Sequence, residues 1–427
     1  MSNDMVEPEP SRSGRWYVLF ILTSIFSIHY LDRTVMSVII EPIKHEFGLS
    51  DTAMGVLAGL AHSGALSIMI LPMGILADRR NRVRLVAGCV IVWSTLTGLS
   101  ALAGTYLALL LMRIGVGAAE AGGTPGSVSI ISDVFSRREL PTAMGIYYTA
   151  AAIGTGLIFL IGGYVAEHYG WRTVFLIAGI PGIIFGLLLL FTVREPNRTG
   201  NPSGKPAKLT EAVRELGTNR TLMWITLTGT AASISQAAVW TWMASFLIRQ
   251  HDLSLAMAGL TVAIAAGLGK GFGSLVSGPL TRFLARDQPR ELWRAPSLLL
   301  ALSVPTAWAM VTVGDTRAAI ALVMFLSILL GSWMGQAPGI LMSGAPPRLR
   351  GTSMSLYHLS CNLIGVGGGP LLAGIISDAT GELGPAIAWS MSFNLVAALG
   401  FYLAARSLAD HEPAVIVGSE AGASSTS

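Results

Sequence analysis

Twelve apolar stretches, each about 20 residues long, constrain the fold of this chain more than any other feature. A helix of that length spans the hydrocarbon core of a bilayer. The composition agrees, because 52% of the 427 residues are hydrophobic and only 12% are charged, fewer than in soluble domains. We therefore predict an all-α polytopic membrane protein with twelve transmembrane helices. Their predicted centres are Phe26, Gly64, Ile91, Gly117, Ala152, Pro181, Ser235, Gly267, Pro305, Leu329, Gly365 and Leu395.

The basic residues are distributed unequally between the two sides of this predicted bundle. Of the 28 lysines and arginines, 21 fall on the side that carries both termini. Four fall on the other side: Lys44, Arg172, Arg249 and Arg317. Three fall within spans: Arg33, Arg113 and Lys270. The positive-inside rule then predicts cytoplasmic termini in a bacterial-type inner membrane, and the basic pI reflects topology and anionic membrane lipids rather than a nucleic-acid partner.

One long polar stretch, residues 194–219, divides the chain into two halves, and we predict a cytoplasmic linker there. Apolar residues recur in it at helical spacing, which predicts a short helix on the membrane interface, with a solvated linker as the alternative: Leu209, Ala212, Val213 and Leu216. The other predicted regions are a disordered N-terminal segment, two six-helix bundles and a disordered tail: 1–14, 15–193, 220–406 and 407–427. The acidic start predicts no cleaved signal peptide.

The two halves resemble each other in sequence. A shift of 204 positions places Gly55 on Gly259, and a shift of 210 places Tyr147 on Tyr357. Such an internal repeat is typical of transporters that hold substrate near the membrane midplane, between two bundles.

The repeat fails at the ionisable residues, which are concentrated in the first half. Asp32 falls on Gln236 under the shift of 204, and Arg113 falls on Leu326 under a shift of 213. The second half offers aromatic side chains instead: Trp240, Trp242, Phe246 and Trp333. We therefore predict an uncharged, aromatic wall in the second half, with Gln236 and Trp240 among the substrate contacts.

Charged residues also lie in the middle of two predicted membrane helices. Placing one ionised side chain at the centre of a membrane helix costs roughly 3 kcal/mol, so the presence of several suggests that they have a function. His29, Asp32 and Arg33 lie at i, i+3 and i+4 of the first helix, and Arg113 and Glu120 share one stripe of the fourth. Both acids are predicted at similar depth, so two acids and two arginines should meet at mid-membrane. The alternative is a permanent ion-pair cluster that only fixes helix packing.

The loop "GILADRRNRVRL", beginning at Gly74, joins the second and third predicted helices. Gly74 allows close helix approach, Asp78 can cap or pair with a neighbouring helix end, and Asn81 tolerates a left-handed turn. This loop resembles the signature loop of the major facilitator superfamily. The resemblance implies a cytoplasmic gate that includes Gly74, Asp78, Arg79 and Arg82. The alternative is a basic loop that only sets topology.

Three further stretches, "HYLDRTVMSVIIEPIKHEFGLSDTAMGVLAG", "RIGVGAAEAGG" and "GWR", resemble the spinster-like branch of that superfamily and, less closely, its anion:cation symporter branch. The resemblance covers most of the first half and fades in the second. It implies two pseudo-symmetric six-helix bundles, the major facilitator fold, and alternating access in a proton-linked or gradient-driven carrier. Asp32, Glu120 and His29 would then couple protons, and Arg33 and Arg113 would hold an anionic substrate group.

Other polar residues inside the spans are weaker candidates. Lys270 is predicted to face the cavity, although it could instead reach an interface. Tyr147, Tyr357 and Asn362 have mirrored positions and could line the cavity, with core packing as the alternative for the aromatic rings. His62 is predicted to be a packed polar residue rather than a proton carrier.

These features together predict a proton-linked secondary transporter, not an enzyme, because no nucleophile and base pair or nucleotide motif appears. We expect no cofactor and no metal, and we expect a monomer that meets substrate, protons and membrane lipids. The favoured substrate is a lysolipid-like or sphingolipid-like amphiphile with an anionic headgroup. The alternatives are a proton-coupled symporter of a small organic acid, or a receptor or scaffold that transports nothing.

Overall fold

The computed structural model describes most of the chain, namely residues 12–197, 209–269, 272–273, 279–281, 283, 293–333 and 336–411. Within these ranges the secondary structure is helical. Eleven helices there are long and apolar enough to cross a membrane, and a shorter apolar helix follows the seventh of them. Each of the twelve contains one predicted centre, so the all-α polytopic class is confirmed. The full length of the shorter helix falls outside the described residues.

The helices are numbered in chain order. Those of the first half are α1 (Gly14–Phe47), α2 (Asp51–Ala77), α3 (Arg82–Leu102), α4 (Tyr106–Val134), α5 (Leu140–Tyr169) and α6 (Trp171–Thr192). Those of the second half are α7 (Arg220–His251), α8 (Leu255–Gly267), α9 (Arg294–Thr312), α10 (Thr316–Gly344), α11 (Arg350–Thr380) and α12 (Leu383–Ser407). The apolar spacing before α7 does form a helix, Leu209–Thr218.

The ends of the two bundles lie close to the predicted boundaries. Helical structure begins at Arg12, ahead of the apolar span of α1, and continues past α12 to His411. The predicted disordered segments fall largely on residues 1–11 and 412–427, which lie outside the described part, as do residues 198–208 of the linker. The division into domains therefore stays a prediction.

The two halves meet along two equivalent helix pairs, α2 with α11 and α5 with α8. A Cβ added to Gly55 of α2 would lie 2.6 Å from the backbone oxygen of Pro370. A Cβ added to Gly259 of α8 would lie 2.5 Å from that of Phe159. Gly55 and Gly259 are the pair related by the 204-residue shift, so the sequence repeat corresponds to a repeated contact.

The position of the shared core shows which end of the bundle is closed. One apolar cluster contains residues of both halves, including Ile40 of α1, Phe159 of α5, Met243 of α7 and Ile387 of α12. Two other clusters each belong to a single half. The shared cluster lies away from the helix ends that carry the termini. We call that side the closed end, and the side with the termini the terminal end.

Close backbone packing inside the first half gives a direct stability test. A Cβ on Gly154 of α5 would overlap the carbonyl oxygen of Ser27 in α1, whereas no atom of another described segment lies within 4 Å of a Cβ on Gly156. We expect Gly154→Ala to destabilise the protein by about 1–3 kcal/mol, because the helices must separate. Gly156→Ala should be neutral or slightly stabilising, since Ala favours helix. Thermal unfolding in detergent checks both, and equal melting temperatures would contradict this packing.

Candidate functional site

A cavity lies between the two halves, and polar and apolar atoms form about equal parts of its wall. Seven of its lining side chains carry hydroxyl groups: Tyr30, Thr34, Ser37, Ser63, Thr155, Ser233 and Thr241. Arg33, His62, Gln236 and Trp240 line it as well. These residues come from α1, α2, α5 and α7, so both halves contribute polar groups to one chamber.

Asp32 and Arg113 form a fully buried ion pair beside this chamber. Arg113 Nη1 donates to Asp32 Oδ1 at 2.9 Å, and Arg113 Nη2 donates to the backbone oxygen of Asp32 at 3.2 Å. Thr97 Oγ1 donates to the other carboxylate oxygen at 2.5 Å. Asp32 is 1% exposed and Arg113 is 0% exposed. A buried pair needs such additional hydrogen bonds to offset the loss of water. Arg113, predicted to hold substrate, thus binds Asp32 and is not among the lining residues.

The second buried acid, Glu120, is held by two histidines. His62 Nε2 lies 2.8 Å from Glu120 Oε2, and His29 Nδ1 lies 3.1 Å from the same oxygen. The other oxygen, Oε1, has no hydrogen-bond partner among the described residues. Asp32, Arg113 and Glu120 thus lie together as predicted, with His29 and His62 beside them, whereas Arg33, the second arginine of the predicted cluster, bonds to Asn362 instead.

A glycine contact explains how Glu120 reaches His62. A Cβ on Gly117 of α4 would overlap the backbone oxygen of His62 in α2, so only glycine permits this approach. Glu120 lies one turn further along α4, at the last residue of the helical segment Tyr106–Glu120. A turn follows, and the helix resumes at Gly123–Val134. The "AGG" sequence thus ends the helix next to the acid.

Two segments of π-helix lie next to polar residues of the site. One, Val56–Leu60, precedes His62 by two residues in α2. The other, Cys361–Val366, contains Asn362 in α11. Because a π-turn inserts an extra residue, it changes the direction of the side chains that follow, and such segments are frequent at functional sites.

Arg33 is the arginine that faces the cavity. Its Nη2 donates to Asn362 Oδ1 at 2.8 Å, a bond that joins α1 to α11 across the two halves. Its guanidinium lies 5.9 Å from the ring centroid of Tyr30. An anion entering the cavity would compete with the Asn362 amide for this guanidinium.

The predicted tyrosines lie in the cores of their own halves. The ring of Tyr147 stacks on Phe26 with centroids 4.4 Å apart, and Tyr147 is buried. Tyr357 is also buried, and its ring packs over Gly229. Neither ring lines the cavity in this conformation, so the core alternative describes both.

The predicted aromatic wall of the second half is present only in part. Trp240 lines the cavity, but Trp242, Phe246 and Trp333 are buried within the protein. The Trp242 indole donates to the backbone oxygen of Pro370 at 3.0 Å, which fixes it away from the chamber. Helical spacing alone did not separate these core rings from the one at the cavity.

Two further candidates belong to the second half, and the structure describes one of them, Gln236. Gln236 lines the cavity, and its Nε2 donates to the backbone oxygen of Leu330 at 3.2 Å. Lys270 lies outside the described residues.

In the signature loop, Arg82 organises the terminal end of the first half. Its Nε donates to Glu195 Oε1 at 2.7 Å, and its Nη1 donates to Ser129 Oγ at 2.8 Å and to Asp133. Arg82 is buried. It therefore connects the start of α3 with α4 and with the segment after α6, all within one half.

Two expectations about this loop need correction. Asn81 is extended, with φ −64° and ψ 115°, and is not left-handed. Its side chain caps α3 by accepting from Arg84 N at 2.8 Å, which satisfies a free helix N–H group. No described atom lies within 4 Å of a Cβ on Gly74, so the close approach predicted there is not made while the halves meet at the closed end. Arg79 is exposed, and the Asp78 side chain lies outside the described part.

A cluster of charges joins the halves at the closed end. Arg249 of α7 donates to both carboxylate oxygens of Asp51 in α2, at 2.7 and 2.8 Å, and its Nε donates to Glu41 at 2.9 Å. Lys44 Nζ lies 2.5 Å from Asp51 Oδ1. We call the Asp51–Arg249 pair the closed-end lock.

The same end contains a symmetric pair of helix caps. Asp378 of α11 accepts from the backbone N–H groups of Asp51 and Thr52, at 2.9 and 2.8 Å, where α2 begins. Glu167 of α5 accepts from Ala256 N at 2.7 Å, where α8 begins. A carboxylate is favourable at a helix N-terminus, so each half stabilises a helix start of the other.

Comparison with known proteins identifies the class. The sequence profile described as Major Facilitator Superfamily matches residues 22–370. The chain therefore belongs to the Major Facilitator Superfamily, a family of membrane transporters. It is a multi-pass membrane protein with that fold.

The relatives extend in the two directions that the sequence motifs indicated. An MFS-type efflux pump of Mycolicibacterium smegmatis is 29% identical over 90% of each chain. A probable galactarate/D-glucarate transporter of Bacillus subtilis is 26% identical, over 94% of this chain and 95% of the relative. A sphingosine-1-phosphate transporter of Danio rerio is 25% identical, over 83% of this chain and 74% of the relative.

Solved structures include a bacterial homologue of the human lysosomal transporter Spinster, in an inward-facing and unoccupied conformation. It superposes with a TM-score of 0.85 and 28% sequence identity, covering 94% of this chain and 98% of that one. The predicted resemblance to the spinster-like branch is thus confirmed.

Proposed function

We propose that this protein is a proton-linked secondary transporter that moves an organic anion by alternating access between its two halves. The observation that supports this most is the arrangement around the cavity. Arg33 supplies a positive charge at the wall, and Glu120 lies behind His62, out of contact with water. A buried carboxylate gains or loses a proton according to the charges beside it. The chamber therefore combines a cation that can bind an anion with a carboxylate that can bind a proton, as proton-linked anion transport requires.

Coupling follows from the charges that meet at His62. Glu120, Arg113 and Arg33 all act electrostatically on its ring. An anion bound to Arg33 changes the potential at the His62–Glu120 pair and hence its affinity for a proton. Substrate and proton then bind together or exclude each other.

We propose that both termini are cytoplasmic, in a bacterial-type inner membrane. The 21 basic residues of the terminal end against four at the other support this orientation. Three of those four, Lys44, Arg172 and Arg249, are ion-paired. The closed end then faces outward and the cavity is accessible from the cytoplasm, the conformation described for the solved spinster homologue.

The hydroxyl groups of the wall support a hydroxylated organic acid as substrate, in place of the amphiphile favoured from the sequence. Seven hydroxyl groups and Gln236 can form hydrogen bonds with a polar body while Arg33 binds the carboxylate. The relative described as a probable galactarate/D-glucarate transporter is consistent with this choice. An anionic amphiphile is the second candidate, because the Danio rerio relative is a sphingosine-1-phosphate transporter. Its tail would need an apolar wall, which Phe159, Trp240 and Val366 provide only in part.

Exchange in proteoliposomes tests this proposal. Liposomes loaded with unlabelled substrate take up the labelled compound, from a panel of hydroxylated dicarboxylates, simple monocarboxylates and lysophospholipids. We expect exchange of a hydroxylated acid, reduced about tenfold or more in Arg33→Gln, because a charge-assisted hydrogen bond is lost. Arg137→Gln, an exposed arginine between α4 and α5 at the terminal end, is the matched control and should exchange normally. Exchange of lysophospholipid alone would favour the second candidate. Equal exchange by both variants would contradict the role of Arg33.

A further inference from the structure

We infer that His62 carries the proton between the cavity and Glu120, while His29 positions Glu120 without carrying the proton. This inference rests on the proposed proton coupling. It assigns different tasks to two histidines that bond to the same carboxylate oxygen. The sequence had suggested the opposite assignment, with His29 in the coupling group and His62 as packing.

The contacts of His62 place it between the chamber and the acid. Its Nε2 is 2.8 Å from Glu120 Oε2, and the residue lines the cavity. Tyr30 and Arg33 are the other titratable residues of the lining, and no bond from either to Glu120 is found within the described chain. Glu120 is 1% exposed, so a proton from the cavity has to cross its surroundings to reach it. Of the two histidines bonded to Glu120, His62 is the one that lines the cavity, through a ring that is itself only 2% exposed.

His29 has different surroundings. Its ring stacks on Phe26, with centroids 5.8 Å apart and an interplanar angle of 2°, and meets the edges of Tyr30 and Trp93. It is buried and does not line the cavity. This aromatic packing fixes its orientation, so its bond at 3.1 Å holds the Glu120 side chain in place.

The transfer needs only the imidazole and the carboxylate. A hydronium ion in the cavity protonates His62 Nδ1, and the proton on Nε2 moves to Glu120 Oε2. Water, a neutral imidazole protonated on Nδ1 and a neutral carboxylic acid result, so protons and charge balance. When Glu120 releases its proton, the steps run in reverse: the carboxylic acid returns a proton to Nε2 and Nδ1 gives its proton to cavity water, which restores the first tautomer. The charged groups that face His62 are Glu120 and Arg113 from α4 and Arg33 from α1, with His29 beyond the shared carboxylate.

The glycine contact behind His62 supports this role. The backbone of α4 touches the backbone of α2 at Gly117 and His62, which leaves no room for another side chain between them. The separation of the helices that carry Glu120 and His62 is therefore fixed by their backbones, and His29 holds the Glu120 side chain in place. A relay that must transfer protons repeatedly requires such a constant distance.

The test compares His62→Gln with His29→Gln in proteoliposomes, because glutamine keeps a hydrogen-bond donor but cannot relay a proton. Two rates are measured: substrate accumulation driven by a pH gradient, and substrate exchange at equal pH on both sides. We expect His62→Gln to lose accumulation about tenfold or more and to retain exchange, since a positioned proton-transfer group contributes that much. His29→Gln keeps a donor that can position Glu120, so it should lose far less accumulation than His62→Gln, and an equal loss in the two variants would contradict this division of roles.

The outcomes separate this inference from the proposed function. If wild type accumulates nothing under a pH gradient, proton coupling itself fails. If wild type accumulates substrate and His62→Gln does so equally well, the relay is wrong. Should His62→Gln lose exchange too, infrared difference spectra of His62→Asn decide, using the carboxylic acid band that disappears in Glu120→Gln. After a drop in cavity pH, the relay predicts a band that rises more slowly than in wild type, and an unchanged rate would overturn it.

Discussion

Replacing Arg113 with methionine should lower the stability of the protein by about 3–5 kcal/mol, because it leaves the Asp32 carboxylate buried without its partner. Asp32 is held by two bonds from Arg113 and one from Thr97, and it has almost no contact with water. Methionine fills a similar volume, so the loss comes from the uncompensated charge. The expected result is a clear fall in melting temperature in detergent at neutral pH.

The double variant Arg113→Met with Asp32→Asn is the matched control. Asparagine removes the charge while its side-chain oxygen can still accept the hydrogen bond from Thr97. We expect this variant to recover most of the lost stability. A double variant as unstable as the single one would show that the buried charge is not the cause.

Arg249→Gln should open the closed end in a large fraction of molecules. The change removes a two-bond pair with Asp51 and a bond to Glu41, leaving two acids without this cation. Loss of one partner of a buried charge pair costs about 2–5 kcal/mol, and the lower end of that range applies here because Arg249 is partly exposed and Lys44 stays on Asp51; about 5.5 kcal/mol reverses a 99:1 population ratio. Distances between spin labels on either side of the closed end, one on each half, should shift toward longer values.

Arg172→Gln provides the control at the same end of the bundle. Arg172 pairs with Glu46 at 2.7 Å, but α6 and α1 both belong to the first half. Its loss should leave the distance distribution unchanged. Cys89 and Cys361 are free and buried, so engineered surface cysteines can be labelled in their presence. If both arginine variants give the same distribution, the closed-end lock does not hold the halves together.

Much of the fold could be predicted because helix length and hydrophobicity are local properties. Each apolar stretch had to span a membrane, and the shifted glycines Gly55 and Gly259 indicated the repeat that the structure shows as contact between halves. The depth of Asp32 and Glu120 also followed from the rise per residue of a helix.

The partners of those acids depend on which helices are neighbours, and no single-helix pattern contains that information. His62 lies about 17 Å from the start of α2, a depth similar to that of Glu120, and this match was a usable signal. Without knowledge of the helix arrangement, however, a histidine of α2 could equally have lain on the side of the helix that faces lipid. For the same reason the sequence could not tell the roles of Arg33 and Arg113 apart. Both lie near mid-membrane, and the rotation of each helix decides which arginine faces the cavity.

Substrate-dependent proton movement is the most direct test of proton-linked transport. Proteoliposomes that enclose a pH-sensitive dye receive the substrate identified by exchange, and wild type is compared with Glu120→Gln and Asp32→Asn. The proposed function predicts a pH change in wild type only when substrate is added, and none in Glu120→Gln. Substrate transport by wild type with no pH change, or an undiminished pH change in Glu120→Gln, would contradict it.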